Sequence, residues 1–120
     1  MKKIILLLIT TAALSSAMAQ KWEYLQISAI ESVVPGGLGR SRLITTDKNN
    51  QMTEINLENF FSMVGINFNN IRNNDQVIVS KINELADEGW ELFQVVAGVE
   101  SSEKNTGIFI TRYIFRREKK

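Results

Sequence analysis

Apolar and polar positions alternate with a period of two from Lys21 to Ile30, where Leu25, Ile27 and Ala29 interleave with Tyr24, Gln26 and Ser28. That period, with frequent β-branched and aromatic side chains, predicts a strand with one buried face. Pro35-Gly36-Gly37 ends it, because proline presets position i+1 of a type II turn and glycine supplies the positive φ of position i+2. Ser41 to Thr46 and Gln51 to Leu57 read as two short strands around Asp47-Lys48-Asn49-Asn50, a tetrad of turn formers. Phe60 to Ile66 is apolar without a clear period. The asparagines at 67, 69, 70, 73 and 74 then predict an irregular connection, since their side chains compete for backbone hydrogen bonds.

A helical period follows, from about Asp75 to Glu88. Ile78, Ile82 and Leu85 fall on one face, with Val77 and Ala86 at its margins and Asn74 or Asp75 placed to cap the open N–H groups. Gly89 is the expected stop. In left-handed conformation at C′ it makes Trp90 the C″ residue and Leu85 the C3 residue, the apolar pair of a Schellman motif.

Trp90 to Val99 and Gly107 to Arg117 predict a closing hairpin around Glu100 to Thr106. Pairing Val99 with Gly107 sets Phe93 opposite Tyr113, Leu92 opposite Ile114 and Trp90 opposite Arg116. One face then carries Phe93, Val95, Ala97, Val99, Phe109, Tyr113 and Phe115, the expected floor of the helix. The second carries Leu92, Val96, Ile108, Ile110 and Ile114, interrupted by Gln94, Arg112 and Arg116. Trp90 belongs to the second face by alternation and under the helix end by the Schellman reading, and both placements stay open. Both faces are more apolar than a sheet solvated on one side requires, so the second face is expected to be covered by residues 41–70 or by another molecule.

The expected fold class is therefore α+β: an antiparallel sheet of the first strand and the C-terminal hairpin, extended by a hairpin over 41–57, with one main helix at about 75–88 on one face.

The start of the chain changes the compartment. Lys2-Lys3, the apolar run Ile4 to Ala13 and Ala17-Met18-Ala19 before Gln20 have the order of a secretory signal peptide, a basic start, an apolar middle and a small-x-small exit. The apolar run is shorter than the about 20 residues a spanning helix needs. The expected organisation is a cleaved signal at 1–19 and a single domain at 20–120, exported to the periplasm or secreted, and not membrane-spanning. Cleavage after Ala19 removes Lys2 and Lys3, so 14 basic against 13 acidic residues become 12 against 13, a formal charge of −1.

Composition excludes further chemistries. The chain has no cysteine and no histidine, so disulfides, thiol nucleophiles, thiolate or imidazole metal sites and histidine-based triads are absent, and no cofactor or metal is expected.

Trp22-Glu23-Tyr24 on the first strand, Ile82-Asn83-Glu84-Leu85 through Glu88-Gly89-Trp90-Glu91-Leu92 at the helix-to-strand junction, and Phe115-Arg116-Arg117 on the last strand resemble the small bacterial family called domain of unknown function 4177. The resemblance covers the first strand and about Val77 to Arg117. Residues 31–74 are longer than the family pattern. It implies a small α+β domain with one helix on an antiparallel sheet and carries no catalytic or binding residues. The roles it marks at Leu85, Gly89 and Trp90 are structural.

Four motifs invite chemistry and fail on spacing or context. Gly36-Gly37-Leu38-Gly39-Arg40-Ser41 lacks the Gly-Lys-Ser/Thr ending of a phosphate loop. Ser101 and Lys104 match the nucleophile pair of penicillin-binding enzymes, but Ser-Asp-Asn and Lys-Thr-Gly do not occur. Asp47, Asn49, Gln51, Thr53 and Glu58 fit a calcium loop except that its sixth position is Met52 instead of glycine. Glu84, Asp87, Glu88 and Glu91 cluster near a helix C-terminus, where a solvated end beside Arg112 and Arg116 is the plainer account. Arg112, Arg116, Arg117, Lys119 and Lys120 make the C-terminus basic, yet Arg116 and Arg117 point to opposite faces and export disfavours nucleic acid.

The expected function is a non-enzymatic binding or self-association module of the cell envelope, taking a protein partner or forming a homo-oligomer through Leu92, Val96, Ile108, Ile110 and Ile114. The alternative is a carboxylate-based hydrolase or small-ligand binder, which needs a cleft holding two carboxylates, or one beside Tyr24 or Arg112.

Overall fold

The computed structural model describes residues 21–101 and 106–120. The expected signal segment and Lys104 lie outside the described residues. Among the described residues seven strands and one α-helix follow in chain order: β1 (Trp22–Ser32), β2 (Ser41–Thr46), β3 (Met52–Leu57), β4 (Phe61–Ser62), β5 (Gly65–Ile66), α1 (Phe68–Asp87), β6 (Glu91–Ser101) and β7 (Gly107–Glu118). The main sheet is fully antiparallel with strand order β3-β2-β1-β7-β6, and β4 and β5 form a separate two-stranded hairpin. The fold is α+β, with α1 packed on one face of the five-stranded sheet.

Alternation in β1 is realised as read: Leu25, Ile27 and Ala29 are buried and join Leu43 of β2, Leu57 of β3, Phe115 of β7, Trp90, and Ile78 and Leu85 of α1 in one core. The middle hairpin forms at 41–46 and 52–57. Asp47 closes its turn by accepting the N–H groups of Asn49 and Gln51 on Oδ1 at 2.8 and 2.9 Å, an Asx turn. Gly36 follows Pro35 with φ 77° and ψ 7°, the i+2 geometry of a type II turn.

Gly39 is needed for closeness. A Cβ there would lie 2.0 Å from Ser32 Oγ and 2.4 Å from Asn59 Oδ1. Ser32 is buried and donates its N–H to Ser41 Oγ at 2.9 Å, while Asn59 Nδ2 donates to the carbonyls of Val34 and Phe61. The β1–β2 connection is thereby held against the β3–β4 loop.

The helix corrects the sequence reading at its start. It begins at Phe68, seven residues before the expected Asp75, and its N-cap is Asn67, whose side chain accepts from the N–H groups of Asn69 and Asn70. The asparagines expected to form an irregular connection make its first two turns. Tertiary bonds outweigh their low propensity: Asn70 Nδ2 donates to the Asn59 carbonyl at 2.8 Å, and Asn73 Nδ2 donates to Glu58 Oε2 at 3.1 Å. Asn74 is buried, accepts the Glu58 N–H and donates to the Glu58 carbonyl, both at 2.8 Å.

At the other end the Schellman stop forms as expected. Gly89 has φ 85°, its N–H donates to the Ala86 carbonyl, and the Trp90 N–H donates to the Leu85 carbonyl, both at 2.9 Å. Leu85 and Trp90 are both buried. Strand β6 starts only at Glu91, so alternation does not bind Trp90 and its ring lies in the core under the helix end.

The closing hairpin is offset from the expected register. Val99 pairs with Phe109 and Ser101 with Gly107, while Val95, and not Phe93, faces Tyr113. A bulge between Leu92 and Gln94 adds one residue to β6, so Leu92 pairs with buried Phe115 and shares the core side. Phe93 instead turns to the opposite face, where its ring meets Tyr24 edge-on at 6.3 Å.

Candidate functional site: the open sheet face

The core takes the odd-numbered side chains of β1 and β7, and α1 lies on that side. Phe60 also packs there, its ring 5.6 Å from that of Phe109. The opposite face of the sheet therefore carries neither the helix nor Phe60 from the 41–70 stretch expected as one of its covers, and Met63 of that stretch is 89 % exposed.

The strand registers specify what this open face displays. One row across the sheet reads Glu54, Ile44, Ser28, Arg112 and Val96. Its neighbours place Met52 in line with Thr46, Gln26, Ile114 and Gln94, and Arg42 in line with Ile30 and Ile110. Isoleucines thus form the middle of the face, and charged side chains stand among and around them. Ile30, Ile44, Ile108, Ile110 and Ile114 are only half-buried by their own neighbours.

Of the five contact residues expected from sequence, Val96, Ile108, Ile110 and Ile114 share this face, and the bulge places Leu92 on the other. Phe93 joins the open face in its stead, while Gln94 stands opposite Ile114, where Leu92 was expected. No residue of β6 is buried, and Phe93 and Val96 are 47 % and 49 % exposed although they belong to an edge strand of an assembled sheet. Its outer backbone edge has no neighbouring strand among the described residues, the arrangement that templates association unless something blunts it.

One end of the face is built around Arg116. Its guanidinium sits 4.4 Å from the ring centroids of both Trp22 and Phe93 and reaches Glu91 at 3.3 Å, so both ring faces and the carboxylate share one cation. Arg117 points to the core side, lies 4.2 Å from the Trp90 ring centroid and pairs with Glu23. Alternation along β7 thus gives each arginine its own tryptophan. Arg112 is exposed and forms no hydrogen bond or ion pair among the described residues.

Two carboxyl groups missed in the sequence have shifted ionisation. Glu23 is buried beneath the strand ends, where hydrogen bonds from Lys48, at 2.8 Å, and from Arg117 outweigh burial and hold its carboxyl below the ordinary range. It lines a cleft of about 820 Å³ that Tyr24, Glu88 and Glu118 also border, so carboxylates beside Tyr24, which the alternative reading needs, do share a cleft. Its charge is consumed by two cations, which makes it a lock between β1, the β2–β3 turn and β7, not a proton donor.

Glu31 is the opposite case. Burial pushes its carboxyl up, the Asn74 amide at 3.2 Å works against that, and neighbouring Asp75 adds to the push. Burial first, then Glu31 and Asp75, also raise the Tyr113 phenol. Odd numbering in β1 and β7 was the only sequence signal placing Glu31 and Tyr113 together.

The other candidate chemistries do not assemble. Glu84 pairs with Lys81 at 2.7 Å and Glu91 with Arg116, so the expected carboxylate cluster is divided. Asp47 serves its turn, and among the described residues no group of three acidic side chains is placed to hold a metal ion. No helix among them is long and apolar enough to cross a membrane. Compared with known family models, with curated proteins and with solved structures, the chain matches none.

Proposed function

We propose that the chain is an exported, non-catalytic binding module of the cell envelope that acts through its open sheet face. The observation that carries the reading is a complete sheet face whose isoleucine centre no other part of the described chain covers. Apolar side chains left uncovered among polar ones on a whole sheet face are costly in a free monomer and are what association surfaces display. Export is supported by the basic, apolar and small-residue order of residues 2–19, and the family resemblance at the helix-to-strand junction agrees with a structural rather than catalytic use of Gly89 and Trp90.

Photo-crosslinking in the exporting cell tests this. A crosslinking residue at Ile110, on the open face, is expected to give adducts, and one at exposed Asn83 on α1 is expected to give none. Equal yields at both, or none at 110, overturn the proposal.

A second reading, a carboxylate-based hydrolase or small-ligand binder, draws on Glu31, whose raised carboxyl beside Asp75 and Tyr113 has the asymmetry that acid chemistry uses. NMR titration of the side-chain carboxyls decides it: a Glu31 value at or below the ordinary 4.5 removes its basis.

A further inference from the structure

We propose that the occupant of the open face is a second copy of this chain, packed sheet to sheet about a twofold axis that lies parallel to the strands between β1 and β2. This rests on the open face being the binding surface, and it adds the partner and the register.

Rotation about such an axis leaves position along the strands unchanged and reverses the order across the sheet. Each row therefore meets its own reverse, with β1 facing β2 and β7 facing β3 of the other copy. In the central row Arg112 then faces Glu54 of the partner subunit, and Glu54 faces the partner's Arg112. In the next row Met52 faces the partner's Ile114. Three features of the described chain are accounted for together: among its residues Arg112 has no ion pair and Glu54 has only Arg42, at 3.7 Å, and Met52 is 69 % exposed. Paired sheets stand about 10 Å apart, a gap that an arginine and a glutamate side chain span together, whereas two arginines or two glutamates in the same places would repel.

Four shared strands about 4.8 Å apart, overlapping over six residues at about 3.4 Å each, give a flat footprint of about 400 Å² per copy before side-chain relief is counted. That places the pair near the about 1,000 Å² in total at which specific interfaces begin. A dimer that dissociates on dilution is the expected behaviour. Strand β6, with Phe93 and Val96, overhangs the contact.

Sedimentation equilibrium of the purified protein over a range of concentrations, with Arg112→Glu, Glu54→Arg and the double variant, tests the register. The sites are exposed, and circular dichroism checks that each variant is folded. The wild type is expected to dimerise with rising concentration, each single reversal to weaken the dimer by about tenfold or more, and the double variant to recover most of that loss. A wild type that stays monomeric overturns the second copy; crosslinks from position 110 to another protein would still leave the binding reading standing. A dimer indifferent to the single reversals, or not recovered in the double variant, overturns the Arg112–Glu54 register.

Discussion

Replacing Gly89 with alanine isolates one physical effect. The residue sits at φ 85°, and a Cβ built on it meets nothing within 4 Å, so the substitution adds no clash and removes no packing. What remains is the left-handed backbone, which costs an L-residue about 1–2 kcal/mol, set against about 0.4–1 kcal/mol gained because alanine narrows the unfolded ensemble. The expected net loss is about 1 kcal/mol. Relaxing φ to avoid it would forfeit the Gly89-to-Ala86 and Trp90-to-Leu85 hydrogen bonds and pull Trp90 from beneath the helix. In urea melts followed by circular dichroism, a 1 kcal/mol loss lowers the midpoint by about 0.3–1 M at unchanged slope. D-Alanine at the same position, introduced by chemical ligation, accepts positive φ and keeps the entropic gain, so it is expected to stabilise. A neutral L-alanine variant, or a D-alanine variant as unstable as the L form, would refute the argument.

Trp90→Ala is expected to cost about 3–5 kcal/mol, of which the Arg117 contact contributes about 0.5–1 kcal/mol; chemical denaturation measures it, and a loss under 1 kcal/mol would mean the ring is not core. Glu31→Gln is expected to reverse an ionisation penalty. The Glu31 carboxyl is raised in the folded state, so its stabilising share is complete below pH 4.5 and is lost as pH rises through the folded value. The glutamine variant should therefore match the wild type in acid and exceed it at neutral pH, and urea melts showing the opposite order would exclude the buried-acid account. Glu23, lowered by Lys48 and Arg117, has the other sign: its contribution is present above pH 4.5 and fades as pH falls.

The β1 alternation, the 41–57 hairpin and the Schellman stop were all legible because each depends on residues within a few positions of one another. The helix start was not. The partners that hold Asn70, Asn73 and Asn74 in the helix are Asn59 and Glu58, 11 to 16 residues away, with Glu31 at 43. Read locally, five asparagines argue for a loop; placed against a loop that offers carbonyls, an N–H and a carboxylate, they become helix and clamp. The exchange of Leu92 for Phe93 on the open face was hidden for a related reason, since a period of two carries no sign of an inserted residue and β6 could take up its bulge only against β7.

By itself the amino-acid sequence determined the α+β class, the helix stop, the cysteine- and histidine-free chemistry and the two-sided apolar character of the closing hairpin, because these follow from composition and from periodicities that successive backbone units impose. Only the tertiary structure decided which face α1 covers, how long α1 is, and that no other described part of the chain covers the isoleucine face. Those outcomes depend on strand order, register and contacts between distant segments, and no local pattern contains the geometry that brings such segments together.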